Sequence, residues 1–293
     1  MLLNLPKVKD DVLVIYHGNC QDGYGSAWVC HKVFGNEATY IEGMYSEPYP
    51  QEIKDKVVYL VDFSFKRDVI IEMASLAKKI IVIDHHKSAQ SDLVNLPSNV
   101  SVTFDMEYSG TYLCYQYFFP NKPIPKLVEF VSDRDTFKLQ YKDTEAISSY
   151  LFSKDATWEN WDKAELALQD PNSQEYKEIV ARGESIREYQ ITVAKVTLKE
   201  ATHDLVINGH TFKAINVPKC MGTDCCRQLM KQGEPHAAYY SVDNKKIVIG
   251  LRSSDASIDV SKLASLFNGG GHRNSSGFTL SINTDLTQPI NPK

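Results

Sequence analysis

The chain has no surplus of positive charge. Lys and Arg number 32 against 37 Asp and Glu, leaving a formal net charge of −5 over 293 residues. Proteins that grip long duplex nucleic acid draw on counterion release and are usually basic, so stable duplex binding is not expected. Long apolar runs are also missing. Nothing approaches the roughly 20 residues that cross a bilayer, so no membrane association is expected. Leu13 to Tyr16 is too short for a secretory signal core and leads straight into polar residues. Cysteine is scarce: six residues without framework spacing. That excludes a disulfide-stapled scaffold and points to a reducing, cytoplasmic setting. Internal repeats and low-complexity segments are absent. Hydrophobic residues at 43% and charged residues at 24% exclude a disordered or collagen-like chain. The length suits two domains at about 150 residues each.

What is present first is an alternation. Asp11 to Tyr16, Val57 to Asp62, Lys79 to Asp84 and Val100 to Phe104 are short β-branched runs that read as buried strands. Asp22 to Phe34 and Phe65 to Leu76 lie between them with helical spacing. Near-continuous apolar strands separated by helices imply a mostly parallel sheet flanked by helices. From Ser109 to Ala167 the pattern is mainly helical, broken by Pro120, Pro123 and Pro125. Ser173 to about Thr202 then predicts one long helix, with Asn172 as N-cap, Glu175 completing a capping box, and Gly183 marking a bend. It reads as a rigid connector. The last ninety residues predict a smaller α/β unit. A hairpin turns at Asn208-Gly209, a helix covers Thr223 to Lys231, and paired strands turn at Asp243-Asn244. A helix at Ile258 to Phe267, a loop from Asn268 to His272, a strand from Gly277 to Ile282 and a loose tail from Gln288 follow.

The polar residues fall at the ends of the strands. His17 and Asp22 follow the first run, Asp62 ends the second, and Asp84, His85 and His86 end the third. Ligands of open α/β sheets bind at the carboxyl ends of the strands, so three strands deliver acids and imidazoles to one rim. With Asp133, these are oxygen and nitrogen donors lacking a complete thiolate set. Such donors suit Mn²⁺, Mg²⁺, Fe²⁺ or Co²⁺ better than structural Zn²⁺. Two ions about 3.5–4 Å apart need a shared carboxylate, and Asp62, on the middle strand of the three, is the natural bridge. Paired ions would activate water and neutralise charge on a phosphate under in-line attack.

These motifs resemble the DHH–DHHA1 phosphoesterase family. Asp84-His85-His86 matches the signature triplet. Tyr16 to Gly23 resembles the first motif, Val61-Asp62 the second, and Ser132-Asp133-Arg134-Asp135 the fourth. Ser109-Gly110-Thr111 resembles the segment that follows the triplet. Gly269-Gly270-Gly271-His272 resembles the substrate loop of the C-terminal DHHA1 domain, and Leu251-Arg252-Ser253 the strand motif that accompanies it. The match runs in order over nearly the whole chain. It implies a DHH domain over residues 1–170, a connector over 171–202 and a DHHA1 domain over 203–293, with the site in the cleft between domains.

It also implies two manganese ions. His17, Asp22, Asp62 (bridging) and His85 would be ligands, together with Asp133 or Asp135, of which Asp133 is favoured. His86 would lie beside the substrate phosphate as a proton or hydrogen-bond donor, with Asp84 as its catalytic companion. Gly269, Gly270 and Gly271 would form an anion nest, and His272 and Arg252 would hold a phosphate or sugar. One departure stands out: where the first motif usually has the earlier of two aspartates, this chain has Cys20, and the spacing from His17 to Asp22 is one residue shorter. A thiolate there would favour Zn²⁺ or Fe²⁺; a bystander cysteine would leave one ion loosely held.

The expected activity is hydrolysis of short single-stranded oligonucleotides to nucleoside monophosphates. The alternatives are a cyclic-dinucleotide or 3′-phosphonucleotide phosphoesterase, or a catalytically weakened nucleotide-binding module. The sequence leaves the oligomeric state open, a homodimer included. Cys220, Cys225 and Cys226 lack the spaced partner pair of a zinc site. Trp158 and Trp161 read as helix packing, and His31, His203, His210 and His236 belong to no constellation.

Overall fold

A computed structural model describes residues 11–45, 47–242 and 246–292. The chain divides into two compact units, one up to Arg187 and one from Glu188. The division falls inside the long helix, so the first half of the connector belongs to the first unit.

The first unit carries β1 (Val12–His17), α1 (Gln21–Phe34), β2 (Ala38–Gly43), β3 (Val57–Val61), α2 (Arg67–Leu76), β4 (Lys79–Asp84) and β5 (Val100–Phe104). Four helices follow: α3 (Gly110–Phe118), α4 (Lys126–Asp135), α5 (Thr144–Phe152) and α6 (Trp158–Ala167). The strands pair in the order β2-β1-β3-β4-β5, every pair parallel. Side chains alternate along each strand. Val14, Val61, Ile81 and Ile83 join the core built with α1 and α3 to α6. Leu13, Ile15, Val58, Leu60, Ile80 and Val82 join the core built with α2. Burial on both faces is why β1, β3 and β4 read as unbroken apolar runs.

Strand β2 carries no such run. It is an edge strand with exposed Thr39 and Glu42, and only pairing with β1 identifies it. Its position creates the functional geometry: from β1 the chain moves to one side, and β3 returns on the other. In this strand order the loops diverge between β1 and β3 and leave a crevice at their carboxyl ends.

Helix α7 (Gln174–Ala201) runs unbroken for 28 residues. Its first turn is capped by Ser173, whose Oγ accepts from Tyr176 N–H at 3.1 Å, one position beyond the expected Asn172. Gly183 does not interrupt the helix. A Cβ there would lie 1.9 Å from the Ala146 carbonyl oxygen, so this glycine permits close approach to α5.

The second unit holds β6 (His203–Ile207), β7 (His210–Asn216), α8 (Lys219–Lys231), β8 (His236–Val242), β9 (Lys246–Ser253), α9 (Val260–Ser265), β10 (Gly270–His272) and β11 (Ser275–Ser281). The order is β10-β11-β9-β8-β7-β6, antiparallel except for β7 and β8. Helix α9 covers one face, and α8 with the end of α7 the other. Asn208 and Gly209, at φ 45° and 79°, form the expected two-residue turn. The expected turn at Asp243-Asn244 lies outside the described residues.

The glycine run is not a free loop, because Gly270–His272 pairs with β11. The tail is not loose at Ile290, which is 5% exposed and exchanges 2.8 Å backbone bonds with Asn208 N–H and the Val206 carbonyl. Among the described residues no helix is long and apolar enough to cross a membrane.

Candidate metal centre

Three strand ends build the centre. His17 is the last residue of β1, Asp62 follows β3, and Asp84 ends β4 with His85 and His86 immediately after it. Asp62 adopts φ 53°, a left-handed conformation that aspartate tolerates better than most non-glycine residues. Its N–H is fixed by the Ile83 carbonyl at 2.9 Å. Asp22 comes from the first turn of α1, and its carboxylate rests on the amino terminus of α3. Oδ2 accepts from Gly110 N–H at 2.6 Å and Oδ1 from Thr111 N–H at 3.0 Å. Helix amino termini favour anions there.

The carboxylates converge on one imidazole. His85 Nε2 lies 3.0 Å from Asp62 Oδ1, 3.4 Å from Asp135 Oδ2 and 3.5 Å from Asp22 Oδ2. On the other side of Asp62, Oδ2 lies 3.4 Å from His17 Nδ1. Asp62 is therefore shared by two donor sets, His17–Cys20–Asp62 and Asp22–Asp62–His85, each with donor atoms within 4.8 Å of one another.

The fourth motif resolves differently from the expectation. Both oxygens of Asp133 are engaged away from the cluster. Oδ1 accepts from Gln140 N–H at 2.8 Å, and Oδ2 accepts from Tyr141 N–H at 3.2 Å and Thr144 Oγ1 at 2.5 Å. Asp135 is the residue brought to His85. The two aspartates are two residues apart on α4, about 200° around a helix, so they face different ways.

Asp84 is fully buried and satisfied. Oδ1 accepts from His85 N–H at 2.7 Å, His86 N–H at 3.2 Å and His86 Nδ1–H at 2.8 Å, while Oδ2 accepts from Ser64 Oγ at 2.8 Å. Burial opposes its ionisation, but the His86 and His85 rings outweigh that and bring its carboxyl down to about 2. An ionised acceptor fixes His86 as the Nδ1–H tautomer. Asp84 is thus a positioning residue for His85 and His86.

The electrostatics call for a cation. Burial, then repulsion from Asp62 and Asp135, pushes the Asp22 carboxyl well above the usual range. Burial also raises Asp135, against the pull of His85. Burial opposes the charge on Asp62 as well, yet the adjacent His17 ring and the hydrogen bond with His85 hold it well below the usual range. Burial disfavours His85 as a cation, but its contact with Asp62 and the charges of Asp135 and Asp22 raise it well above the imidazole range. Burial, then Asp62, Asp135 and Asp22, drives the Cys20 thiol up, so Cys20 is neutral until a cation sits beside it. His17 Nδ1, Asp62 Oδ2 and Asp135 Oδ2 are buried without a hydrogen-bond partner. Buried orphans of this kind are rare unless something else satisfies them. Clustered carboxylate and imidazole donors with orphaned atoms fit divalent ions.

Glycines make the crowding feasible. A Cβ on Gly110 would lie 2.5 Å from Asp62 Cβ, and one on Gly23 2.0 Å from the His17 carbonyl oxygen. Tyr45, unassigned from sequence, sets its ring edge-on to His17 at 5.4 Å and to His86 at 6.0 Å. Ser64 was also missed; nothing local distinguishes either from an ordinary loop residue.

In the second unit, Arg252 lies in β9. Its guanidinium donates to the Leu251 carbonyl and to Thr223 Oγ1, each at 2.8 Å, and lies 5.5 Å from the Tyr239 ring centre. The glycines serve strand packing. A Cβ at Gly269 would lie 2.1 Å from the Gly277 carbonyl oxygen and one at Gly271 2.6 Å from that of Ser275. Gly269 N–H is spent on the Ala264 carbonyl at 3.0 Å. His272 ends β10, and its carbonyl accepts from Ser276 Oγ at 2.7 Å.

No family model matches the chain. Uncharacterized protein R106 of Acanthamoeba polyphaga mimivirus is 30% identical over 297 residues, spanning 93% of this chain and 68% of the viral one; the two belong to one family. Among solved structures, the DHH domain of PF0399, a member of the s1p family of ribosomal proteins, superposes with a TM-score of 0.58. That match has 16% identity and covers 92% of this chain and 82% of the other. The chain shares the fold of that DHH domain. RecJ from Thermus thermophilus in complex with Mn²⁺ is also similar, at TM-score 0.49 and 14% identity, over 93% of this chain and 50% of RecJ. Within Asp84-His85-His86 the labour is divided: His85 faces the carboxylates, and Asp84 orients both histidines.

Proposed function

We propose that this chain is a DHH-type phosphodiesterase that hydrolyses short single-stranded oligonucleotides and releases nucleoside monophosphates. The observation that carries the reading is the position of Asp62 between two donor sets at the β1/β3 crevice. His17 and Asp62 would hold one divalent ion, with Cys20 beside them; Asp22, Asp62, His85 and Asp135 would hold the other. Mn²⁺ is the first choice for this donor set, with Mg²⁺, Co²⁺, Fe²⁺ and Zn²⁺ as alternatives. When bound, such a pair acidifies water and neutralises charge on a phosphoryl group under in-line attack.

The chain's own residues do the rest. Asp84 holds the His86 ring with Nδ1–H toward it, so His86 Nε2 serves the substrate. When protonated, Nε2 donates to a phosphoryl oxygen. Arg252, Gly269, Gly270, Gly271 and His272 are assigned to holding the nucleotide. Arg252 offers its remaining guanidinium donors to a phosphate.

The test is incubation with labelled dinucleotides, longer oligomers, a cyclic dinucleotide and a 3′-phosphorylated nucleotide in Mn²⁺, Mg²⁺ and Zn²⁺, with products separated by chromatography. Nucleoside monophosphates from the linear oligomers in Mn²⁺ are expected. No cleavage of any of these with any metal would overturn the reading, and cleavage restricted to the cyclic or 3′-phosphorylated compound would replace the substrate.

A further inference from the structure

Two segments that leave the metal cluster meet again on its flank. One runs through Tyr108 into Ser109 and Gly110, beside Asp22. The other continues from Asp135 through residues 136–143. Where they meet, rings and cations alternate. Lys138 Nζ lies 5.4 Å from the Tyr108 ring centre, and Tyr108 stacks on Tyr112 at 4.3 Å and 13°. The Arg134 guanidinium lies 5.4 Å from the Phe137 ring, and Lys126 Nζ 5.4 Å from the Tyr141 ring. Phe137 is 48% exposed and Tyr141 39%. Beside Tyr141 is a pocket of about 430 Å³, lined by Lys126, Phe130, Gln140, Lys142, Asp143 and Tyr176 among others, with Asp143 engaged by the Tyr176 hydroxyl at 2.8 Å. The volume is that of a small-ligand site.

The segment is held in shape. The Asp133 carboxylate takes the N–H groups of Gln140 and Tyr141 and the Thr144 hydroxyl. Phe137 and Leu139 adopt φ 61° and 48°, left-handed values that non-glycine residues keep only when their surroundings enforce them. Asp133, which faces away from the metal cluster, thus ties residues 140–144 to α4.

We infer that this strip holds the single-stranded nucleic acid adjoining the scissile phosphate. Bases stack on Tyr141 and Phe137 and enter the pocket, while Lys142 meets a phosphate, joined by Lys126 and Lys138, which exchange their partners Glu129 and Glu107 for phosphate oxygens. Aromatic faces interleaved with cations are the sequence-tolerant way to hold unpaired bases, and a duplex has no free base faces to offer. The inference rests on the phosphodiesterase reading and deepens it. The substrate class is a single strand extending past the dinucleotide at the scissile bond.

The test uses the full chain. Fluorescence anisotropy with a short labelled single strand is read in an Asp62→Asn background, so that no turnover is needed, with Tyr141→Ala or Lys142→Glu added. Each addition is expected to weaken binding, Tyr141→Ala by about fivefold to a hundredfold. Lys142→Glu changes a solvated side chain, so it answers even if Tyr141→Ala fails to fold. Unchanged affinity in every folded variant overturns the inference. In chains with Asp62 intact, Tyr141→Ala should lower the kcat/KM preference for a longer oligomer over a dinucleotide; an unchanged preference also overturns it. If the wild type cleaves neither, the phosphodiesterase reading falls, and the anisotropy still decides the strip.

Discussion

Replacing Asp84 with Asn probes the step from geometry to catalysis. The change is nearly isosteric, and its hydrogen bonds can be worked through. Oδ1 serves three donors, from His85 N–H, His86 N–H and His86 Nδ1–H, so it must remain the oxygen. The new amide nitrogen then falls toward Ser64 Oγ, 2.8 Å from Oδ2, and a hydroxyl can accept from it. All four contacts survive, but the negative charge does not. A carboxyl held at about 2 against an ordinary 3.8 gains about 2–3 kcal/mol in its ionised form. Asn forfeits that gain, and charge-assisted bonds become neutral ones of about half the strength. The expected cost is therefore about 2–3 kcal/mol of stability at neutral pH. Loss of an outer partner also lowers activity or metal affinity by about 10–100-fold. Thermal unfolding, Mn²⁺ titration and steady-state kinetics on an oligonucleotide read the three effects. A variant with kcat, metal affinity and stability all like the wild type would refute the positioning role of Asp84.

Other expectations follow from single contacts. Gly110→Ala would drive a methyl to 2.5 Å from Asp62 Cβ and 3.0 Å from Asp22 Oδ2. Overpacking of this kind costs about 1–3 kcal/mol, and a shift of about 1 Å at the centre lowers turnover by about a hundredfold; kinetics and unfolding check both. Asp135→Asn should weaken Mn²⁺ binding by calorimetry, whereas Asp133→Asn should leave metal stoichiometry intact. Asp133→Asn would instead set an amide donor against a loop N–H or the Thr144 hydroxyl, lowering stability by about 1–3 kcal/mol; equal metal loss in both variants would reverse the assignment. His272→Ala should raise KM more than it lowers kcat, as expected for binding remote from the reacting bond, and an unchanged KM would remove His272 from substrate binding.

How much the sequence reveals depends on what each residue touches. Strands β1, β3 and β4 are legible because both faces are buried, and their ends carry His17, Asp62, Asp84, His85 and His86 into plain view. Edge strand β2 is hidden by its mixed burial, although it creates the β1/β3 crevice. Asp133 and Asp135 are indistinguishable in sequence, because one helix places them on different sides and only neighbours outside α4 show which side faces the cluster. The Gly269 to Gly271 run reads as a loop because glycine carries no strand preference; the register with β11 is a tertiary fact. Gly110 and Gly23 are needed for close approaches to Asp62 and His17, and neither approach can be anticipated before the chain has folded.

Anomalous diffraction from crystals grown with Mn²⁺ addresses the shared carboxylate most directly. Two peaks about 3.5–4 Å apart, with Asp62 between them, are predicted, one beside His17 and the other beside Asp22 and His85. Peaks elsewhere, or a fully occupied pair that leaves Asp62 beyond coordination distance, would contradict the account.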